Sequence, residues 1–394
     1  MSLRLFAILL ATVVAMWLVL TNTASNVYLK KAPTFALRFD GSNNFALSKI
    51  AGTILLNQKN GAFNFDDASK YAIRAIRIAP RDSDSLAVLA FAADAGKFKT
   101  EGLHLAQMAQ NYSKRSLLSQ IYLIQDGAKH GRIREVLEYY DLALTTHPAS
   151  QRLLLPMLYT AIEAPEVRRE LVKILARDSA WKKDFWLGLS DLRPVPPTAL
   201  DLLDEARADP AILVPGMTPR FVRALASDRR FDDAARIADW GSARGHVVRG
   251  PRKLDDFAVD EPSPPIDWEY RSSGSHNASP AGRDLLLSVR GTRKVVFGRR
   301  LLFLSPGERF ALAAGLKSDS GNGQVELAIN CANGTPIALA VADVARGREA
   351  TLSSGPFSIP ETCPQQWVTI GGKASGMSST QLTLRNLTIL QVNR

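Results

Sequence analysis

Cysteine is nearly absent from this chain, with only Cys331 and Cys363 in 394 residues. That excludes a disulfide-dense scaffold, and no CxxC metal pattern is present. Histidine is scarce too. His104, His130, His147, His246 and His276 form no HExxH motif and no metal-spaced pair. There is no GxSxG, no Walker loop and no GxGxxG after a strand. The sequence therefore nominates no catalytic residue, no metal and no cofactor. The paired acids Asp66–Asp67 and Asp232–Asp233 stand at helix starts, where negative charge suits the helix dipole.

Charge of one sign is in excess. The net charge is +11, spread along the chain with no basic tail. A basic balance points to acidic partners such as anionic lipid or acidic glycan. Nucleic acid would require the charge on one face with aromatics between, and the sequence shows neither, so none is expected.

One long uncharged apolar run stands at the amino end, over residues 5–20. A spanning helix needs ~20 residues, and the neutral residues after the run extend it. Residues 1–30 are thus read as a single-pass transmembrane signal anchor, followed by a juxtamembrane linker over 31–45. The competing reading is a cleaved signal peptide ending near "TNTAS", which lacks the A-x-A form. Lys30, Lys31 and Arg38 follow the run against Arg4 before it. Taken literally, that bias places the body on the cytoplasmic side. The cysteines and the fold argue for export instead.

Alanines recur at a fixed period. Ala75, Ala109 and Ala143 stand 34 residues apart, as do Ala72, Ala106 and Tyr140. Pro80 and Pro148 are two periods apart, with Lys114 between. Leu86, Leu89 and Ala90 precede a turn at Gly96, and Gly131 marks the next turn. Helical hairpins with one apolar side cannot bury it alone, so neighbours stack. Alanine fits where helices approach most closely, and proline then ends the second helix. The period and these positions resemble tetratricopeptide repeats over about residues 46 to 150, without the family's usual Trp and Tyr in the first helix. Beyond 150 the register slips, although "FDDAARIAD" at 231–239 echoes "FDDASKYAI" at 65–73. Thr198 and Thr218 read as helix caps. The expectation is an irregular, tetratricopeptide-like α-solenoid over 46–246. The resemblance implies a protein partner on its concave face, with Asn57, Lys59, Asp94, Gln120 and Gln125 as groove candidates.

Residues 247–265 are rich in charge and proline without period and read as a linker. From 266 to 394 the period becomes two. Val325, Leu327, Ile329 and Cys331 share one face. Roughly eight short runs bounded by Gly, Pro, Ser and Asn predict a jelly-roll-type β-sandwich. That domain resembles the galactose-binding-type sandwiches used as carbohydrate-binding modules. The resemblance implies aromatic platforms for sugar, with Trp268, Tyr270 and Trp367 as candidates. Arg290, Arg293, Lys294, Arg299 and Arg300 are candidate contacts to an anionic ligand. Cys331 lies on the apolar face of its strand, and the two cysteines share this domain, so a Cys331–Cys363 disulfide is expected. Such a bond persists in an oxidising compartment.

The fold class expected is multidomain, α then β, with a membrane helix, a solenoid and a sandwich. The combination resembles accessory proteins of bacterial surface-polysaccharide synthesis and export. It implies a non-enzymatic scaffold of the cell envelope, held in the inner membrane with its bulk in the periplasm. Partners expected are envelope proteins, polysaccharide and the membrane itself. The alternative is a glycan-processing enzyme with an unrecognised site in the sandwich.

Overall fold

A computed structural model describes residues 3–29, 31–57, 64–96, 99–240 and 247–392. The first helix, α1, runs over Leu3–Tyr28. Among the described residues no helix is long and apolar enough to cross a membrane. Most side chains of the run at 5–20, on which the expected anchor rests, lie outside the described residues.

The chain divides into two compact units. One comprises Met1–Phe185 with Asp201–Ile212, and the other Trp186–Leu200 with Leu213–Arg394. The first is helical. After α2 (Pro33–Phe39) come α3 (Asn44–Leu56), α4 (Phe65–Ile78), α5 (Ser83–Ala95), α6 (Lys99–Tyr112), α7 (Leu117–Lys129) and α8 (Ile133–Thr146). Then follow α9 (Gln151–Ala161), α10 (Pro165–Leu175), α11 (Lys182–Asp191) and α12 (Pro197–Ala206). From α3 to α8 a 13-residue helix alternates with a 14-residue one. The second helices begin at residues 65, 99 and 133, 34 apart each time.

Local chemistry sets these boundaries. Side chains of Asn43, Asn64 and Ser116 accept backbone N–H groups at the starts of α3, α4 and α7. The turn between α7 and α8 needs Gly131, whose φ of 68° is left-handed. Ala68, Ala72, Ala75, Ala106, Ala109 and Ala143 are all fully buried, as spacing at close helix contacts requires. Gly102 marks a tighter approach still. A Cβ there would stand 2.6 Å from the Tyr122 hydroxyl and 2.9 Å from the Ala90 carbonyl oxygen.

Two expected caps fall inside their helices. α12 starts at Pro197, before Thr198. The next helix, α13 (Met217–Ser227), starts behind a left-handed Gly216 and before Thr218. Proline is tolerated anywhere in a first turn, because those N–H groups lack helical acceptors. It locates a start only to within that turn.

The second unit takes in most of α11 and the first residues of α12, then α13, α14 (Phe231–Ala238) and, among the described residues, twelve strands. These are β1 (Arg252–Lys253), β2 (Glu269–Tyr270), β3 (His276–Ala281), β4 (Asp284–Arg290), β5 (Val295–Leu302) and β6 (Arg309–Ser320), then β7 (Gly323–Cys331), β8 (Pro336–Val344), β9 (Glu349–Ser353), β10 (Phe357–Ser358), β11 (Gln366–Ala374) and β12 (Ser379–Gln391). One antiparallel sheet runs β10-β6-β12-β4-β3, with β1 on β12 and β9 on β6. The other runs β2-β5-β11-β7-β8. Alternation is strict on β7, where Val325, Leu327, Ile329 and Cys331 point inward. They share one core with Leu285 and Leu287 of β4, Leu312 and Leu316 of β6, and Leu382 and Leu384 of β12. The two sheets therefore enclose a sandwich. Cys331 and Cys363 are disulfide-bonded, with Cα atoms 5.5 Å apart.

Residues 247–265, expected as a linker, are instead part of this sandwich. Val248, Leu254 and Phe257 belong to its core. β1 pairs with β12 through Arg252↔Ile389 and Lys253↔Thr388. The backbone here is mostly irregular, so its buried residues carry no period for a sequence pattern to reveal.

Candidate binding groove

The first helices of the pairs build a groove of about 550 Å³. α3 supplies Leu55 and Leu56, and α5 supplies Phe91, Asp94 and Ala95. α7 supplies Leu118, Ile121, Ile124 and Gln125, and α9 supplies Leu153, Leu154 and Met157. Phe65, at the start of α4, completes the lining. Leu55, Leu118, Ile124 and Leu154 are buried. Leu56, Leu153 and Met157 are 62%, 60% and 50% exposed. Apolar side chains left in water at one concave place mark an interaction site more than scattered ones do.

Behind the groove, Phe91 meets Tyr122 edge to face with ring centroids 5.1 Å apart. Burial, reinforced by Asp94 and Asp126, pushes the Tyr122 phenol up to about 12, so it stays neutral. The Asp94 carboxylate accepts from Lys129 at 3.4 Å. That leaves an apolar groove with one charge pair and the Gln125 amide among its polar groups.

Of the five groove candidates, the structure brings Asp94 and Gln125 together at the lining. Asn57 is the exposed residue ending α3. Lys59 lies outside the described residues. Gln120 is corrected: it is fully buried and its amide donates to the Lys114 carbonyl at 2.7 Å. A polar residue on a first helix is not thereby on its open face, because each helix has neighbours on two sides. The apolar lining was missed. Its signal is α5, "SDSLAVLAFAADA", which is apolar nearly all round and so has more than one surface to cover.

The sandwich candidates scatter. Trp268 is 3% exposed, and its indole N–H donates to the Leu254 carbonyl at 3.1 Å. It is core and offers no platform to a sugar. The Tyr270 hydroxyl donates to the Phe257 carbonyl at 2.8 Å, and burial holds that phenol far above its ordinary value. Both rings anchor the irregular segment before them. Trp367 is half-buried, with the Arg299 guanidinium 4.5 Å from its ring centroid and Phe231 edge-on at 6.2 Å.

The basic candidates likewise separate. Arg300 is fully buried, pairs with Asp256 and faces Asp267 at 3.8 Å, so it holds the sandwich together rather than meeting a ligand. Arg299 pairs with Glu269, and Lys294 with Glu326 at 2.6 Å. Arg290 and Arg293 are exposed. The five do not make one basic surface: Arg290 ends β4, Arg293 and Lys294 precede β5, and the successive residues Arg299 and Arg300 of β5 face opposite sides. Among the described residues no group of acids, histidines and cysteines is placed to hold a metal ion.

No family model matches this sequence, and no curated protein matches it. Solved structures resemble part of it. A family 4 carbohydrate-binding module matches 34% of this chain and 94% of its own, at 11% identity and a TM-score of 0.27. The family 11 carbohydrate-binding module of a cellulosomal cellulase from Clostridium thermocellum matches 37% of this chain and 96% of its own, at 15% identity and a TM-score of 0.24. The CBM22-1 and GH10 modules of a xylanase from Clostridium thermocellum, complexed with xylohexaose, match 32% of this chain at 15% identity and a TM-score of 0.25. The match covers only 26% of that solved chain. At these TM-scores the likenesses carry no argument about a ligand.

Proposed function

We propose that this protein is a non-enzymatic binding protein of the bacterial cell envelope, with a protein partner seated in the groove of the helical unit. The observation that carries the reading is the groove itself, to which α3, α5, α7 and α9 all contribute apolar side chains. A groove between parallel rows of helices suits the apolar face of an amphipathic helix, inserted as anchors at i, i+3 or i+4 and i+7. The 34-residue recurrence and the buried alanines support calling the pairs tetratricopeptide-like.

The rest of the proposal concerns place. The disulfide supports an exported sandwich, since such bonds persist in oxidising compartments. The uncharged run at residues 5–20 supports an inner-membrane anchor. A glycan on the sandwich, and a role in surface-polysaccharide synthesis or export, complete the reading. Exposed Arg290 and Arg293 support an acidic glycan there.

The test is capture of a partner from detergent-solubilised membranes by the wild type and by Leu153→Glu and Met157→Glu. Both side chains stand mostly in water, so charge there leaves the fold intact. Capture should fall to background in both variants with helix content unchanged. Undiminished capture would reject the groove.

A further inference from the structure

The sandwich has one edge built differently from the others. β8 spans nine residues and pairs only with β7, so it is the outer strand of its sheet. Its sequence, Pro336–Val344, is apolar except for Asp343, which accepts from the Gln324 amide at 3.0 Å. Leu339 is 57% exposed and Val341 46%, both on the outer face, while Ala340 and Val344 are buried inward. The remaining edges are blunted. β2 is two residues long, and its Glu269 pairs with Arg299. β3 carries Pro280. β9 and β10 are five and two residues long. Natural sheets protect free edges by such shortening, prolines and charge. On β8 such protection is confined to the ends, with Pro336 and a register shift beside Ile337 at the start and Asp343 near the finish, so that Ala338–Ala342 carries none.

We infer that the edge of β8 is a self-association site, where a second copy of this chain adds its own β8 antiparallel to the first. The sequence is complementary to itself about Ala340. Pairing there sets Leu339 of each copy opposite Val341 of the other, so the exposed apolar side chains cover one another. Cross-strand pairs of this kind are the unit of sheet stabilisation. Ala340 meets Ala340 on the inward side without crowding. Asp343 falls opposite Ile337, which keeps the two carboxylates ~20 Å apart at 3.4 Å per residue. That separation exceeds the screening length at physiological salt. A register moved toward the carboxyl end would bring the acids together. A two-fold contact of this form closes on itself and stops at a dimer.

The experiment uses the full chain in detergent. Leu339→Cys combined with Val341→Cys should give an intermolecular disulfide-linked dimer on mild oxidation. Leu286→Cys, equally exposed on the other sheet, should not. Sedimentation of the wild type over a concentration series should show monomer and dimer, and Val341→Lys should weaken association by about tenfold or more. Circular dichroism checks that this variant keeps its fold, and the cysteine pair tests the register independently. A wild type that stays monomeric throughout overturns the proposal. So does a dimer indifferent to Val341→Lys, or a ladder of higher oligomers in place of a dimer.

Discussion

Helices α4 and α14 begin with the same four residues, Phe-Asp-Asp-Ala, and acquire different neighbours. In α4, Phe65 lines the groove, while Ala68 and Ala72 lie buried in the helical unit. In α14, Phe231 meets Trp367 of β11 edge-on, and Asp232 accepts from the Gln365 amide. The local code does the same thing twice: it starts a helix, puts acids in the first turn and lays small residues along one side. What that side meets depends on chain far away. The contrast extends to the two units. The helical one is assembled from neighbours in sequence, with contacts repeating every 34 residues. The sandwich closes by distant pairings, such as Arg252 with Ile389, and by a bond from Cys331 to Cys363.

If the units are built so differently, damage should stay within the unit that receives it. Hydrogen exchange resolved by peptide, read with urea unfolding, measures this. The largest effect is expected at Arg300. Replacing it by Met removes the guanidinium that faces Asp267, which is 2% exposed and would keep its negative charge with the Ser263 N–H but without that cation. The cost should be about 3–5 kcal/mol, confined to sandwich peptides. Adding Asp267→Asn should recover part of it. Equal loss of protection in α3 to α8 would break the comparison.

Removing the disulfide by Cys331→Ala with Cys363→Ala should cost the sandwich about 3–4 kcal/mol, from the loop it closes. Reductant should do the same to the wild type and nothing further to the variant. A sandwich of unchanged stability would show that its distant pairings suffice alone.

Alanine positions sharpen the comparison from the other side. Ala75→Leu and Ala109→Leu place three extra carbons at fully buried helix contacts. Each should cost about 1–3 kcal/mol in the helical unit and leave the sandwich untouched. A thermal melt unmoved by both would mean the small residues are not limiting there.

The smallest effect is electrostatic. The two terminal nitrogens of the Arg177 guanidinium donate to the Glu138 carboxylate at 2.7 Å and hold it below its ordinary value of 4.5. Folding therefore favours the ionised form. The contribution is complete above that value and is lost as pH falls below it. The pair is nearly half exposed, so it is worth only ~0.2–1 kcal/mol. Glu138→Gln should remove that acid sensitivity from the helical unit alone. A variant as acid-sensitive as the wild type would assign it to other carboxylates.

The readable parts of the molecule are those whose signal is short in range. Alanines 34 apart, glycine at the α7–α8 turn and alternation along β7 each state a local geometry. The cysteines were readable because there are only two and one follows an inward-facing row. Trp268 was unreadable as core, since an aromatic beside prolines looks the same whether it covers a sheet or faces water. Residues 247–265 failed for the same reason: irregular backbone buries side chains without period. The groove was half legible. Its helices followed from the repeat, but its apolar lining required knowing which side of α5, α7 and α9 stays uncovered.

By itself the sequence determined the helices that recur every 34 residues, the strict alternation of β7, which small residues sit at helix contacts, and that the chain changes from one period to the other. Those properties depend on steric and hydrogen-bonding preferences within a few residues, and they are written residue by residue. The tertiary structure alone decided that α13 and α14 join the sheets, that Arg300 is buried with acids, that the first helices open a common groove, and that β8 is left at an edge. Each of these depends on which surfaces remain after all the others have been paired, a quantity that no local stretch of chain contains.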